Sequence, residues 1–174
     1  MTVRRIGLLG GESTGKSTLA RSLADALPAL VAEEYLRDFV EAHGRAPLPP
    51  DQEGIYLTQQ ASAATVERAA AATHTPWVIV DPLPLMTAVY SVVYFDDDSL
   101  MKPGLDDASS YDVLLWCAPD IPWASDDGVR DGSDFRDRAD AVISEVIAPT
   151  LPLHRMCGSA DERLASALSL AATP

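Results

Sequence analysis

The residues with the most chemistry in their spacing are Gly10-Gly11-Glu12-Ser13-Thr14-Gly15-Lys16-Ser17. Gly10, four residues, Gly15, Lys16 and Ser17 match the phosphate-binding P-loop pattern without a mismatch. Glycines let backbone N–H groups turn inward around phosphate oxygens, and a helix that starts at the lysine adds its partial positive charge. Gly10, Gly11, Glu12, Ser13, Thr14, Gly15 and Thr18 are therefore expected to wrap the phosphates of ATP or a close relative. Lys16 should reach the β- and γ-phosphates, and Ser17 should offer its hydroxyl to Mg²⁺.

Asp81 closes the pure hydrophobic run Trp77-Val78-Ile79-Val80. A carboxylate there should emerge at the carboxyl edge of a sheet, where open α/β folds place their ligands. Its expected work is on the metal, directly or through a water, with a helix cap or surface turn as the alternative. Glu34 and Arg37 follow the second expected strand, and their three-residue spacing puts both on one side of a helix. Arg37 could grip a phosphate and Glu34 orient or deprotonate a hydroxyl, or the two could form a surface ion pair. Asp126-Asp127-Gly128-Val129-Arg130, with Arg136 and Arg138 beyond it, concentrates arginines after the P-loop helix. A lid around 119–138 that closes cations over a moving phosphate is one reading, and a charged loop followed by helix-surface arginines is the other. Trp123 is either a core residue or a stacking platform. His43, His74 and His154 are assigned no chemistry. Cys117 and Cys157 lack metal-ligand spacing and read as small buried thiols.

These residues need elements to hold them. Val3 to Leu9 reads as a strand and Lys16 to Leu27 as a helix, with Leu19, Leu23 and Leu27 on one face. Ala29 to Ala32 reads as a strand, Tyr35 to Ala42 as a helix, and 44–50 as a proline-rich loop. Asp51 is expected to cap a long alanine-rich helix reaching Ala72. Trp77 to Asp81 is a buried strand, Met86 to Tyr94 a core helix, and 96–110 a polar, mobile stretch carrying Pro103 and Gly104. Tyr111 to Cys117 and Leu153 to Cys157 read as strands, Phe135 to Ile147 and Asp161 to Ala171 as helices. Strands alternate with helices throughout, which predicts an α/β P-loop NTPase three-layer sandwich with about five parallel strands and helices on both faces.

At 174 residues the chain fits a single domain, 1–174, and 47% hydrophobic with 22% charged residues is a globular composition. No apolar run approaches the roughly 18–20 residues that span a bilayer. Arg4-Arg5 followed by Ile6-Gly7-Leu8-Leu9 is too short for a signal peptide, so a cytoplasmic, membrane-free protein is expected. The net charge of -13 argues against broad nucleic-acid binding, yet a local basic cluster can still hold an anionic substrate.

Gly10 to Thr18, Glu34-Tyr35-x-Arg37, Asp51 with Ile55 and Gln59, and Val80-Asp81 with Thr87 and Tyr90 together resemble a known family. Pro119-Asp120-Ile121-Pro122-Trp123 leading to Asp127-Gly128-x-Arg130 adds to the likeness, which covers nearly the whole chain. The family is the ribosylnicotinamide kinase domain of bacterial NAD-biosynthesis regulators and its stand-alone P-loop relatives. The resemblance implies ATP and Mg²⁺ as cofactors and the 5′-hydroxyl of nicotinamide riboside as the acceptor. It implies Lys16 and Ser17 at ATP and Mg²⁺, Asp81 at the metal or acceptor hydroxyl, Arg130 in the lid, and Glu34 and Arg37 facing a small-molecule acceptor. The acidic chain, with Glu33, Glu34 and an aromatic such as Trp123, also suits a cationic pyridinium. Leu83 stands where members often carry a second acid, and the Trp-to-Asp-Gly spacing is one residue longer. The regulators' DNA-binding and adenylyltransferase modules have no room in this length. A kinase for another nucleoside, nucleotide or small metabolite is the alternative enzyme. A nucleotide-dependent switch or binding module is the alternative outside that class.

Overall fold

The computed structural model describes residues 2–123 and 132–173. Five parallel strands form one sheet in the order β2-β3-β1-β4-β5. They are β1 (Arg4–Leu9), β2 (Ala29–Ala32), β3 (Trp77–Val80), β4 (Val113–Cys117) and β5 (Leu153–Met156). The helices are α1 (Lys16–Ala26), α2 (Tyr35–His43), α3 (Gln52–Ala72), α4 (Leu85–Phe95), α5 (Met101–Ala108), α6 (Gly132–Val142) and α7 (Ala160–Ala171).

Both faces of the sheet are covered, which is why its central strands are apolar at consecutive positions. Ile6, Leu8, Ile79 and Leu115 point to one face and pack against Leu19 and Leu23 of α1 and Ala167 and Ala171 of α7. Each fully buried leucine contributes about 1.5–3 kcal/mol there. Leu9, Leu114 and Trp116 point to the other face, against α4, α5 and α6, while Val78 and Val80 meet Ala63 and Ala70 of α3. The result is the expected three-layer α/β sandwich with helices on both faces.

Three sequence expectations need correcting. Residues 96–110 are not a mobile stretch, because α5 lies within them and buries Met101, Gly104 and Ala108. Pro103 falls in the first turn of α5, where its missing N–H costs no helix hydrogen bond. Gly104 leaves space for α4, since a β-carbon there would lie 2.7 Å from Leu85 Cδ1. Asp51 precedes α3 but its side chain does not cap that helix. Its carboxylate instead accepts from the Leu48 N–H at 2.7 Å and pairs with Arg45, closing the short 3₁₀ turn Pro49–Asp51. Cys117 is buried as expected, whereas Cys157 is exposed just beyond β5. The helix expected from Phe135 begins at Gly132, and Arg136 and Arg138 lie on it as α6. A wider π turn over Ile143–Ile147 continues α6 and buries both of those isoleucines.

Candidate functional site

The loop between β1 and α1 carries its shape in three backbone positions. Gly10, Ser13 and Gly15 have φ of 141°, 54° and 84°, the region where side chains are disfavoured and glycine is at ease. Gly10 also sits too close to its neighbours for any side chain, since a β-carbon would lie 2.7 Å from the Cys117 carbonyl oxygen. Gly11 is pressed against α6, with the Arg136 carbonyl 3.0 Å from where a β-carbon would stand. Thr14 is buried and donates its hydroxyl to the Gly11 carbonyl at 2.8 Å, closing the loop on itself. Gly15 caps α1 without a side chain, and no acid occupies the first turn, so the helix N-terminus presents positive potential toward the loop. Lys16 folds back over it, donating to the carbonyls of Gly10 at 2.9 Å and Gly11 at 2.8 Å. Ser17 is half-buried beside it and Thr18 is exposed.

Asp81 stands at the carboxyl edge of β3, its N–H bonded to the Ala32 carbonyl at 3.0 Å. It is 6% exposed, and its Oδ1 is buried with no hydrogen-bond partner among the described residues. A buried carboxylate oxygen left without a donor suits a hard cation. Among the described residues no group of three or more His, Cys, Asp and Glu side chains gathers as a protein-only cage. Mg²⁺ beside phosphates characteristically takes only one or two carboxylates, so Asp81 and the Ser17 hydroxyl fit it.

Glu34 opens α2, and its carboxylate lies 3.4 Å from Arg37 Nε, with Arg37 largely exposed. Met86 of α4 accepts the Gly10 N–H at 3.5 Å, and Tyr90 lies one turn further along that helix. Burial raises its hydroxyl well above its ordinary pKa, and the carboxylates of Glu34, Glu12 and Asp81 push it further the same way. Gln59 of α3 fixes the relative placement of Glu34 and Asp81. Its Oε1 accepts from the Tyr35 N–H at 2.8 Å, and its Nε2 donates to the carbonyls of Glu33 at 3.1 Å and Pro82 at 3.2 Å. One buried amide therefore ties the residues flanking Glu34 to the residue after Asp81.

The other wall of the loop is built by Arg163 of α7, buried at 3% exposure. It donates to the carbonyls of Thr14 at 2.6 Å, Gly158 at 3.0 Å and Ala118 at 3.1 Å, and pairs with Asp120. Burial works against the Asp120 charge, but the Gly158 N–H and the Arg163 guanidinium together hold its carboxyl below the ordinary value. Cys117 lies beneath the loop, where burial pushes its thiol up to about 11 despite Lys16 and Arg163 nearby, so it is protonated at neutral pH.

Of the expected lid, Arg130 lies outside the described residues. Arg136 donates to the Ile121 carbonyl at 3.1 Å, and Arg138 donates to the Val93 carbonyl at the end of α4. Both are held by the fold. Trp123 is half-buried, and its indole N–H has no hydrogen-bond partner among the described residues. Gln59 and Arg163 are structural members of the site that sequence reasoning did not single out for a role. Each sits on the buried face of its helix, Gln59 between Ile55 and Ala63, Arg163 in line with Ala167 and Ala171. A polar residue at an apolar helical position was the available signal.

A family model described as an AAA domain, AAA_28, matches residues 5–155. The trifunctional NAD biosynthesis/regulator protein NadR of Salmonella typhimurium is 51% identical over 41 residues, which are 24% of this chain and 10% of that protein. A crystal structure of NadR in complex with NR is similar in fold, with a TM-score of 0.74 at 22% identity, over 98% of this chain and 51% of that one. The chain thus spans about half the length of that structure. Thymidylate kinase from Ehrlichia chaffeensis shares the fold over 99% of this chain and all of its own, with a TM-score of 0.70 at 11% identity.

Proposed function

The chain belongs to the AAA_28 family of AAA domains, and from its site we propose that it transfers the γ-phosphoryl group of ATP to the 5′-hydroxyl of nicotinamide riboside. The observation that carries this reading is the Gln59 amide, which ties Tyr35 and Glu33, on either side of Glu34, to Pro82, the residue after Asp81. A nucleotide switch needs only the phosphate loop. A second carboxylate, Glu34, braced to the strand end that carries Asp81 adds a place for a second, hydroxyl-bearing and cationic reactant, which is what a pyridinium riboside is. The likeness to NadR, described with NR in one structure and with NAD and AMP-PNP in another, supports the same acceptor.

In this reading the inward N–H groups of the loop and the α1 N-terminus bind the β-phosphate. Lys16 exchanges the carbonyls of Gly10 and Gly11 for phosphate oxygens. Ser17 and Asp81 would hold Mg²⁺, which would supply charge neutralisation at the phosphates when bound. Glu34, at the start of α2, takes the proton from the acceptor hydroxyl, and Arg37 steadies its charge. Gln59 keeps Glu34 and Asp81 in register on their separate elements. Trp123 and Arg130 are assigned to the acceptor and the closing segment.

The test is ADP release from Mg-ATP with and without nicotinamide riboside, with mass detection of the phosphorylated riboside. Acceptor-stimulated release with product is expected. A basal rate that the riboside leaves unchanged would overturn the acceptor, and a panel of other nucleosides would separate a different kinase from a switch.

A further inference from the structure

We propose that Arg163 is a positioning residue for nucleotide binding, acting through the Thr14–Gly15 peptide. The inference rests on the reading above only in taking the P-loop to hold nucleotide phosphates.

Arg163 projects from α7 beneath the loop, and each of its guanidinium nitrogens is engaged. Nε donates to Gly158, one terminal nitrogen to Thr14, and the other to Ala118 and Asp120. Asp120 closes the circuit by accepting the Gly158 N–H at 2.7 Å. The ends of β4 and β5 are thereby joined to the P-loop through one buried cation. A charge this deep is retained only when every donor is matched, so the arrangement is rigid.

The consequence follows from peptide geometry. In a trans peptide the C=O and the following N–H point in opposite directions. Arg163 holds the Thr14 carbonyl at 2.6 Å on the α7 side, so the Gly15 N–H is aimed to the other side, into the loop. Gly15 sits in a left-handed conformation with φ of 84°, and a β-carbon there would lie 3.5 Å from Arg163 and 3.3 Å from Ile121 Cδ1. The guanidinium also polarises the peptide it grips, strengthening the N–H as a donor to phosphate. Besides Thr14 of the loop itself, the hydrogen-bond partners of Arg163 are Ala118, Asp120 and Gly158, which follow β4 and β5, and they include neither Asp81 nor Glu34.

The experiment compares Arg163→Lys, Arg163→Met and Asp120→Asn with the wild type. It reads Mg-ATP affinity by calorimetry, KM for ATP against KM for the acceptor, and the unfolding midpoint. Losing the fork to Thr14 removes one charge-assisted hydrogen bond to the loop, so Arg163→Met should bind Mg-ATP about tenfold more weakly. Arg163→Lys, whose point charge can serve Thr14 or Asp120 but not the whole set, should fall between the two. KM for ATP should rise in parallel while KM for the acceptor stays unchanged. If Arg163→Met does not fold, Arg163→Lys and the partly exposed Asp120→Asn carry the comparison. Folded variants with a lower midpoint and wild-type Mg-ATP affinity would overturn the proposal, as would equal rises in both KM values. A wild type that binds Mg-ATP but phosphorylates no riboside defeats the acceptor reading alone, and the affinity comparison still decides Arg163. A wild type that binds no Mg-ATP overturns both.

Discussion

The Lys16 ammonium donates to the Gly10 carbonyl at 2.9 Å, so the cation of the P-loop is stored on the loop's own backbone. The Gly11 carbonyl shares it at 2.8 Å. These are hydrogen bonds to groups at the start of the loop, and phosphate oxygens at the same place are stronger acceptors because they carry charge. Lys16→Ala should therefore leave the fold intact and lower phosphoryl transfer by about a hundredfold or more. Circular dichroism and ADP release on the same preparation check this. A folded variant that retains activity would remove Lys16 from the mechanism.

Asp81 carries a buried oxygen that nothing among the described residues satisfies. Such a group costs stability in the isolated protein and is recovered only when a cation or donor arrives. Asp81→Asn should leave the thermal midpoint unchanged or raise it, while activity drops and the Mg²⁺ concentration for half-maximal rate rises. A lower midpoint with an unchanged Mg²⁺ dependence would make Asp81 a structural carboxylate.

Much of this was legible in sequence where the signals are local. The P-loop and the strand of pure hydrophobes before Asp81 are set by neighbouring residues, and β2 falls on Ala29–Ala32 as expected. What escaped is set by partners far along the chain. The 96–110 stretch is polar with Pro103 and Gly104, yet it is helical because Leu85 of α4 packs on Gly104 and Met101 reaches the core. Arg163 and Gln59 bond to groups distant in sequence from their own helices, such as Thr14 and Pro82, which no local pattern encodes. For Arg163 the hint was its placement on an apolar helix face, and for Gln59 that placement together with its part in the family resemblance.

Gln59→Leu keeps the volume and removes the brace. The Tyr35 N–H and the carbonyls of Glu33 and Pro82 would each lose a partner. An orphaned buried group costs about 1–3 kcal/mol, so the thermal midpoint should fall by several degrees. The acceptor KM should rise more than the ATP KM, because the brace positions Glu34 and Asp81 and does not touch the loop. Equal changes in both would argue that Gln59 only stabilises the fold.

Asp120 provides a pH signature. Its carboxyl is held below the ordinary value in the folded protein, burial being outweighed by the Gly158 N–H and Arg163. A depressed carboxylate stabilises the folded state fully above its unfolded pKa of about 3.9, and that stabilisation disappears as pH falls through the lower folded value. Acid unfolding of the wild type should therefore steepen below about pH 4. Asp120→Asn should flatten that limb and leave the neutral-pH slope unchanged. An acid limb identical in the two proteins would contradict the clamp.

Leu83 replaces an acid often found in the resembling family, and its surroundings say what the replacement means. It is fully buried, its N–H bonds the Leu8 carbonyl at 2.9 Å, and its Cδ1 fills the space where a β-carbon on Gly7 would stand. Gly7 and Leu83 are thus fitted to each other inside the core on the α4 side of the sheet, so position 83 here belongs to packing. Leu83→Glu should place an unpaired carboxylate in that core, at a cost of about 3–5 kcal/mol, with a large drop in thermal midpoint and no gain in acceptor turnover. A variant with an unchanged midpoint and faster turnover would mean that the side chain at 83 reaches the acceptor after all.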